Sequence, residues 1–277
     1  MKIKFIFFIF FQFIFLISSL NSDEVEIVSD NIKILENGKI IESIQTNAII
    51  KRRGLYIEGD YSVYNKETEI IKFEKNVLFN DRTKNIKVET ENAKYNQRLD
   101  ILETIGITNI KIENKYEIIS SNMFYNRKSQ KIYSKSETTI KDISGNIYNL
   151  ENSFQFDLNK EIITTEKTNI IDTDNNIYIF EKAKINLVTK EILGKELKID
   201  FVDNYFGIPN NDPILKGRSA ISNNEQTKIY KTVFSTCNTS NKSCPGWEIE
   251  TEEFTHDKVN KVFNYKNSWL KIFDQEI

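Results

Sequence analysis

The chain has 277 residues, a formal net charge of -2, and 28% charged against 39% hydrophobic residues. That balance excludes a wholly disordered chain, and the lack of a basic excess excludes a general nucleic-acid binder, which must neutralise phosphates. One histidine, His256, and two cysteines, Cys237 and Cys244, fall short of a structural zinc site or a Cys–His catalytic set, so no metal, cofactor or catalytic residue is expected.

In chain order, the first element is a leader. Lys2 and Lys4 precede an apolar run from Phe5 to Ile17, followed by Ser18, Ser19 and a polar stretch. The run is shorter than the ~20 residues of a membrane span, and residues 1–22 read as a secretory signal peptide. Export makes disulfides stable. Cys237 and Cys244 can bridge locally if their loop folds back, or remain free thiols.

From residue 23 to about 203 the sequence repeats. Ile34, Tyr64, Tyr95, Tyr125, Phe156 and Ile185 are spaced by 30, 31, 30, 31 and 29 residues. The next positions are Leu35, Asn65, Asn96, Asn126, Asp157 and Asn186; five of six are Asn or Asp, types that fill about one position in six of the chain. Seven residues after the reference come Ile41, Ile71, Leu102, Ile132, Ile163 and Ile192, all aliphatic. Two before it come Ile32, Ser62, Ala93, Met123, Phe154 and Ala183. Each unit reads as a period-2 strand, an Asx turn and a second strand. Six units predict about twelve strands. The clearest alternation places Ile177, Ile179, Glu181, Ala183 and Ile185 on one face. No stretch after the leader keeps a helical period. The fold class predicted is all-β, an elongated antiparallel jelly roll of ~30-residue repeats, with a parallel β-helix as the competing architecture.

After 203 the repeat fades. Residues 204–213 and 236–246 read as loops, with strands between and after them and an ordinary turn at His256-Asp257. Residues 204–277 form the closing strands. Carboxylates such as Glu89, Glu91, Asp172, Asp174, Asp200 and Asp203 mostly sit on turns or alternate with Lys. Nothing fixes a pair at the separation glycosidic cleavage needs, so an enzyme is not expected.

The repeated Tyr-Asn and Phe-Asp units resemble those of the OstA-like family of lipopolysaccharide-transport proteins. Asn211-Asp212-Pro213-Ile214-Leu215-Lys216-Gly217-Arg218-Ser219, Thr236-Cys237, Cys244-Pro245-Gly246-Trp247 and Asn267-Ser268-Trp269-Leu270 are similar to the junction leading into the β-barrel of that family's outer-membrane member. The chain ends where barrel strands would begin, so residues 204–277 are expected to lead toward a barrel that this chain lacks. The resemblance implies a sheet folded into a trough (a β-taco) that binds lipid A acyl chains and passes lipopolysaccharide across the periplasm to the outer membrane. It also implies that Cys237 matches a cysteine whose family partner lies in the barrel. The lipid-groove candidates are Ile34, Tyr64, Ala93, Tyr95, Met123, Tyr125, Phe154, Phe156, Ala183 and Ile185, lining a trough unfilled by protein. The N-terminal edge, Val25, Ile27, Ile32 and Ile34, is expected to accept a strand from the periplasmic bridge protein. A plug lipoprotein is a further implied partner if the barrel is present. The alternatives are a free-standing periplasmic bridge and a structural or adhesive β-helix protein.

Overall fold

Residues 24–202, 213–236, 247–272 and 275–276 are described in a computed structural model. Every pairing among them is antiparallel, and all the strands belong to one sheet. This is the all-β, jelly-roll type of architecture expected, not a parallel β-helix. The eighteen strand segments up to Asp200 group into twelve crossings of the sheet. Six run unbroken, such as Ile86–Asn96 and Ile101–Ile112; six are split in two, such as Tyr116–Ser121 and Phe124–Asn126.

The split and the bend have one cause. In Ile86–Asn96 the inward residues are Ile86, Val88 and Thr90, then Ala93 and Tyr95. Alternation changes phase at a bulge between Thr90 and Asn92. Leu55–Asn65 does the same between Glu58 and Tyr61. A bulge turns one strand into two half-strands at an angle while keeping both apolar sets on the inner side. A third shift interrupts Ile70–Asp81 between Glu74 and Val77, and these kinks, continued as breaks in the split crossings, fold the sheet lengthwise into two leaves. Asn122, Glu196 and Lys231 take left-handed φ values of 52°, 50° and 53° along this fold line.

The predicted alternation across 177–185 is corrected by this bend. Tyr178 and Phe180 are buried, Ile177 is exposed, and the inward set resumes at Ala183 and Ile185. The chain kinks at Glu181 between the strands Ile177–Phe180 and Lys182–Asn186. Burying two rings and reversing phase satisfies both leaves, whereas a straight strand would have exposed one set.

The Asx turns lie along one rim. The side-chain oxygens of Asn65, Asn96, Asn126, Asp157 and Asn186 each accept the backbone N–H three residues on, at 2.9–3.2 Å. The pattern does not fade after 203. Asn223 and Asp257 cap the next turns in the same way. The interval merely lengthens, because residues 203–212 and 237–246 intervene between strands. Pro213–Ser222 adds directly to Glu191–Asp200, so the sheet runs on past 203.

The expected open trough is filled. Phe79 on the first leaf packs against Tyr95 and Tyr125 on the second, with ring centroids 5.8 and 6.3 Å apart. Tyr116 meets Phe156 at 5.5 Å. The two apolar faces exclude water by burying each other.

Candidate functional site

The interior is built from straight rows of side chains running across the strands. On the second leaf, Ile34 lies opposite Ile41, and Tyr64 sits between Ile41 and Ile71. Tyr95 then sits between Ile71 and Leu102, and Tyr125 between Leu102 and Ile132. Phe156 follows between Ile132 and Ile163, and Ile185 between Ile163 and Ile192. The seven-residue offset in the sequence is therefore the cross-strand pair of each hairpin. On the first leaf the matching row runs from Ile27 through Ala48, Ile57, Phe79, Val88 and Ile110. It continues to Tyr178, Ile199, Leu215, Phe234, Ile249 and Leu270, and each of these is apolar or aromatic.

All the groove candidates from Ala93 to Ile185 are buried and point inward. Tyr64 is half-buried, and Ile34, the first member of its row, is 65% exposed. Ala93, Met123, Phe154 and Ala183 lie one step nearer the fold line, where the leaves converge. Space there is tight at particular positions. A Cβ on Gly194, opposite Ala183, would stand 2.1 Å from a ring carbon of Phe180.

Sequence reasoning missed the hydroxyls of this narrow side. Ser43, Thr46, Ser62, Thr90, Thr104, Thr108, Ser120, Thr138, Thr165 and Thr168 are all buried. Ser43 pairs with Ser62 at 2.8 Å, and Thr108 donates to Thr104 at 2.8 Å. Thr90 donates to the Ile107 carbonyl and Thr168 to that of Asn149. Buried in this interior, the hydroxyls are satisfied by one another and by backbone carbonyls.

The opposite side, where the rims meet, is closed by charge. Arg127 on the second rim puts Nε 2.6 Å from Asp81 of the first. Arg53 reaches Asp100 at 3.1 Å, Lys115 reaches Glu161 at 3.0 Å, and Lys190 reaches Asp142 at 3.0 Å. Each carboxylate also accepts a tyrosyl O–H from within. Tyr95 donates to Asp100 at 2.6 Å, Tyr125 to Asp81 at 3.2 Å, Tyr148 to Asp142 at 3.0 Å, and Tyr116 to Glu161. Burial and the adjacent carboxylate push all four phenols above their usual range. Burial by itself raises the Asp142 carboxyl, but hydrogen bonds from Asn146 and Lys190 outweigh it and hold it low. Hydrogen bonds from Tyr116 and then Lys115 hold Glu161 below its ordinary value against partial burial.

Two cavities lie between the rims. One, of about 230 Å³, has Ile86, Ile112, Tyr116 and Phe156 on its walls with Lys84, Lys115 and Glu161 at its mouth. The other, of about 220 Å³, is lined by Tyr148, Ile170, Tyr178, Ile185 and Ile192 beneath Lys190 and Lys258. Lys258 donates to Ser222 Oγ at 2.9 Å, and burial lowers its pKa to about 8.

His256 is corrected as well. It is the penultimate residue of the strand Trp247–Asp257, fully buried between Thr227 and Phe263 in the second-leaf row. Its ring meets those of Phe201 and Phe263 edge-on at 5.7 and 4.9 Å. The apolar row had ended at Ile192; here Ser222, Thr227 and His256 make its polar stretch.

At the N-terminal edge, Glu26–Val28 and Asn31–Leu35 pair with Ile40–Ile50 and with no other strand among the described residues. Val25 and Ile27 are half-buried, while Ile32 is 50% exposed. The leader, Cys237 and Cys244 lie outside the described residues. Among the described residues no group of three or more His, Cys, Asp or Glu is placed to hold a metal ion.

Residues 52–149 match the protein-family model described as lipopolysaccharide-assembly, LptC-related. No curated protein matches the chain.

Proposed function

We propose, from a central segment that groups with the OstA-like proteins of lipopolysaccharide transport, that this chain takes the acyl chains of lipopolysaccharide between its leaves and hands the lipid across the periplasm for assembly at the outer membrane. The observation that carries this reading is the pair of facing apolar rows. From Tyr64 to Ile192 on the second leaf, and along the whole described first-leaf row, they continue strand after strand without a charged residue, so a hydrocarbon chain meets an apolar surface at each of those steps. Each methylene removed from water gains about 0.8 kcal/mol. Such contact is non-directional, which lets the cargo slide. No catalytic residue, metal or cofactor takes part in it.

Because the leaves now bury each other, cargo must part them. Replacing the self-contact of Phe79 with Tyr95 and Tyr125 by contact with lipid exchanges one apolar burial for another, so the net cost of opening is small compared with exposing either face.

A photo-crosslinking amino acid placed singly at Tyr95, Tyr125, Phe156 and Ile185 tests the reading. Adducts with lipopolysaccharide in irradiated cells are expected at all four. Adducts at none of them, with the protein exported and folded, would rule it out.

Within this function, the junction-like residues after 203 favour the N-terminal periplasmic domain of the assembly protein LptD, which would bring a barrel and its plug lipoprotein. A free-standing bridge is the second reading, favoured by the LptC-related match and by an N-terminal edge that pairs on one side only among the described residues, where a neighbouring bridge protein would add a strand. Sequencing the gene past the codon for Ile277 separates them. An in-frame continuation in alternating strands of about ten residues is the signature of a barrel; a stop codon there favours the bridge.

A further inference from the structure

Among the described residues, four ion pairs that cross between the two rims alternate in sign. Arg53, Asp81, Lys115 and Asp142 stand in order on the first rim, facing Asp100, Arg127, Glu161 and Lys190 on the second. Plus, minus, plus, minus meets minus, plus, minus, plus. A rim slipped by one position would set like charges against each other, so the alternation fixes the register of closure.

The second-rim members come from fixed turn positions. Asp100, Glu161 and Lys190 each close a four-residue turn with left-handed φ values of 58°, 51° and 57°, and Arg127 opens one. Successive turns are tied along the rim by backbone bonds, such as Arg127 N–H to the Asp100 carbonyl at 3.0 Å and Leu187 N–H to that of Glu161 at 2.9 Å. Motion of one turn is thereby passed to the next.

Each pair is also tied to the interior. The tyrosine that donates to the clasp carboxylate has its ring on the apolar wall. Cargo that displaces the ring of Tyr95, Tyr116, Tyr125 or Tyr148 therefore breaks a hydrogen bond to the clasp above it. The two rim cavities sit beside clasps: one behind Lys115–Glu161, the other past Asp142–Lys190.

We propose that these four Tyr–carboxylate–cation clasps form a zipper along the open side of the sheet, and that lipid enters sideways by opening them in turn. The proposal rests on the lipid reading above and adds the route and its gate. An amphipathic cargo needs its chains inside and its polar head in water along the whole path. The rim line is where both conditions hold together.

The experiment uses the full chain and three variants: Lys115→Glu, Tyr116→Phe, and the exchange Lys115→Glu with Glu161→Lys. Lys115 also lies 3.4 Å from Glu113, so Lys115→Glu sets three carboxylates together. Two readouts are taken: amide hydrogen exchange at turns 113–115 and 158–161 without lipid, and stopped-flow uptake of a fluorescent fatty acid. Both are expected to accelerate about three- to fivefold in Lys115→Glu, the scale of a half-exposed pair, and less in Tyr116→Phe. Both should return toward wild type in the exchanged pair. Unchanged exchange in Lys115→Glu would overturn the clasp. Faster exchange with unchanged uptake would overturn sideways entry while leaving lipid binding intact. A wild-type chain that takes up no fatty acid would overturn the transport reading itself, and sideways entry with it.

Discussion

Arg127 donates from Nε to Asp81 Oδ2 at 2.6 Å across the mouth of the folded sheet, and the Asp81 side chain is fully buried. The same guanidinium donates from Nη1 to both Asp100 oxygens at 3.0 and 3.1 Å and from Nη2 to the Arg53 carbonyl at 3.1 Å. Asp81 keeps the Thr83 and Lys84 N–H groups and the Thr83 and Tyr125 hydroxyls when Arg127 is removed, but not a countercharge. Stranding a buried carboxylate is the costly way to break such a pair. Arg127→Met is expected to lose about 3 kcal/mol in urea denaturation. Arg127→Lys should lose less, since it keeps the charge but cannot reach Asp81, Asp100 and the Arg53 carbonyl at once. Equal stability of Arg127→Met and wild type would mean the pair is solvated in solution.

The narrow side of the sheet has no room for a methyl group at two glycines. A Cβ on Gly194 would lie 2.1 Å from Phe180, and one on Gly217 would lie 2.0 Å from Ile229 Cγ2. Both neighbours are buried, so neither ring nor branch can swing into solvent. Gly194→Ala is expected to cost about 2 kcal/mol, within the usual range for overpacking. Adding Phe180→Leu should recover part of that loss, and calorimetry on the single and double variants checks the coupling. Additive losses would place the strain elsewhere.

The fold was legible where its cause is local. The Asx residue after Tyr64, Tyr95 and Tyr125 announces a turn through its own side chain, and the aliphatic residue seven positions on is the partner that turn brings across. Both signals survive in a single sequence. The phase change inside Ile177–Asn186 was misread because the kink at Glu181 lets two alternations of opposite phase look like one. The clasps were not legible at all. Asp81 and Arg127, or Lys115 and Glu161, are 46 residues apart and meet only because the leaves fold together. One trace was visible in retrospect: Asp100, Arg127, Glu161 and Lys190 are charges of alternating sign at the turns of a thirty-residue repeat.

The N-terminal edge should behave as a template. Ile32 and Ile34 belong to inward-facing columns, yet stand 50% and 65% exposed, with no further strand beyond them among the described residues. A strand added there would cover both side chains and take up unpaired backbone groups. Ile34→Asp is expected to weaken capture of the periplasmic bridge protein at least tenfold by biolayer interferometry, while stability changes by less than about 0.5 kcal/mol, as for other exposed sites. Ile32→Pro removes a backbone donor and should weaken capture as well. Capture equal to wild type by both variants would mean the partner binds another edge.

Acid should loosen the C-terminal part of the sheet through His256. Its imidazole is buried against Phe201 and Phe263, and desolvation, with Lys258 nearby, lowers its pKa to about 4 from an ordinary 6.5. Asp257 and Asp172 oppose that shift without cancelling it. Above pH 6.5 the ring is neutral in both folded and unfolded chains and protonation costs nothing. As pH falls from 6.5 to 4 the unfolded chain binds a proton that the folded chain refuses, so stability drops. Below 4 the loss is complete, at up to about 3 kcal/mol. His256→Phe should remove this component, so the difference in urea midpoint between variant and wild type is expected to grow in the variant's favour from pH 7 to pH 4.5. Depressed carboxylates such as Asp142 and Glu161 also lose stability in acid, but equally in both proteins. A difference that stays constant with pH would show that His256 protonates without disturbing its row.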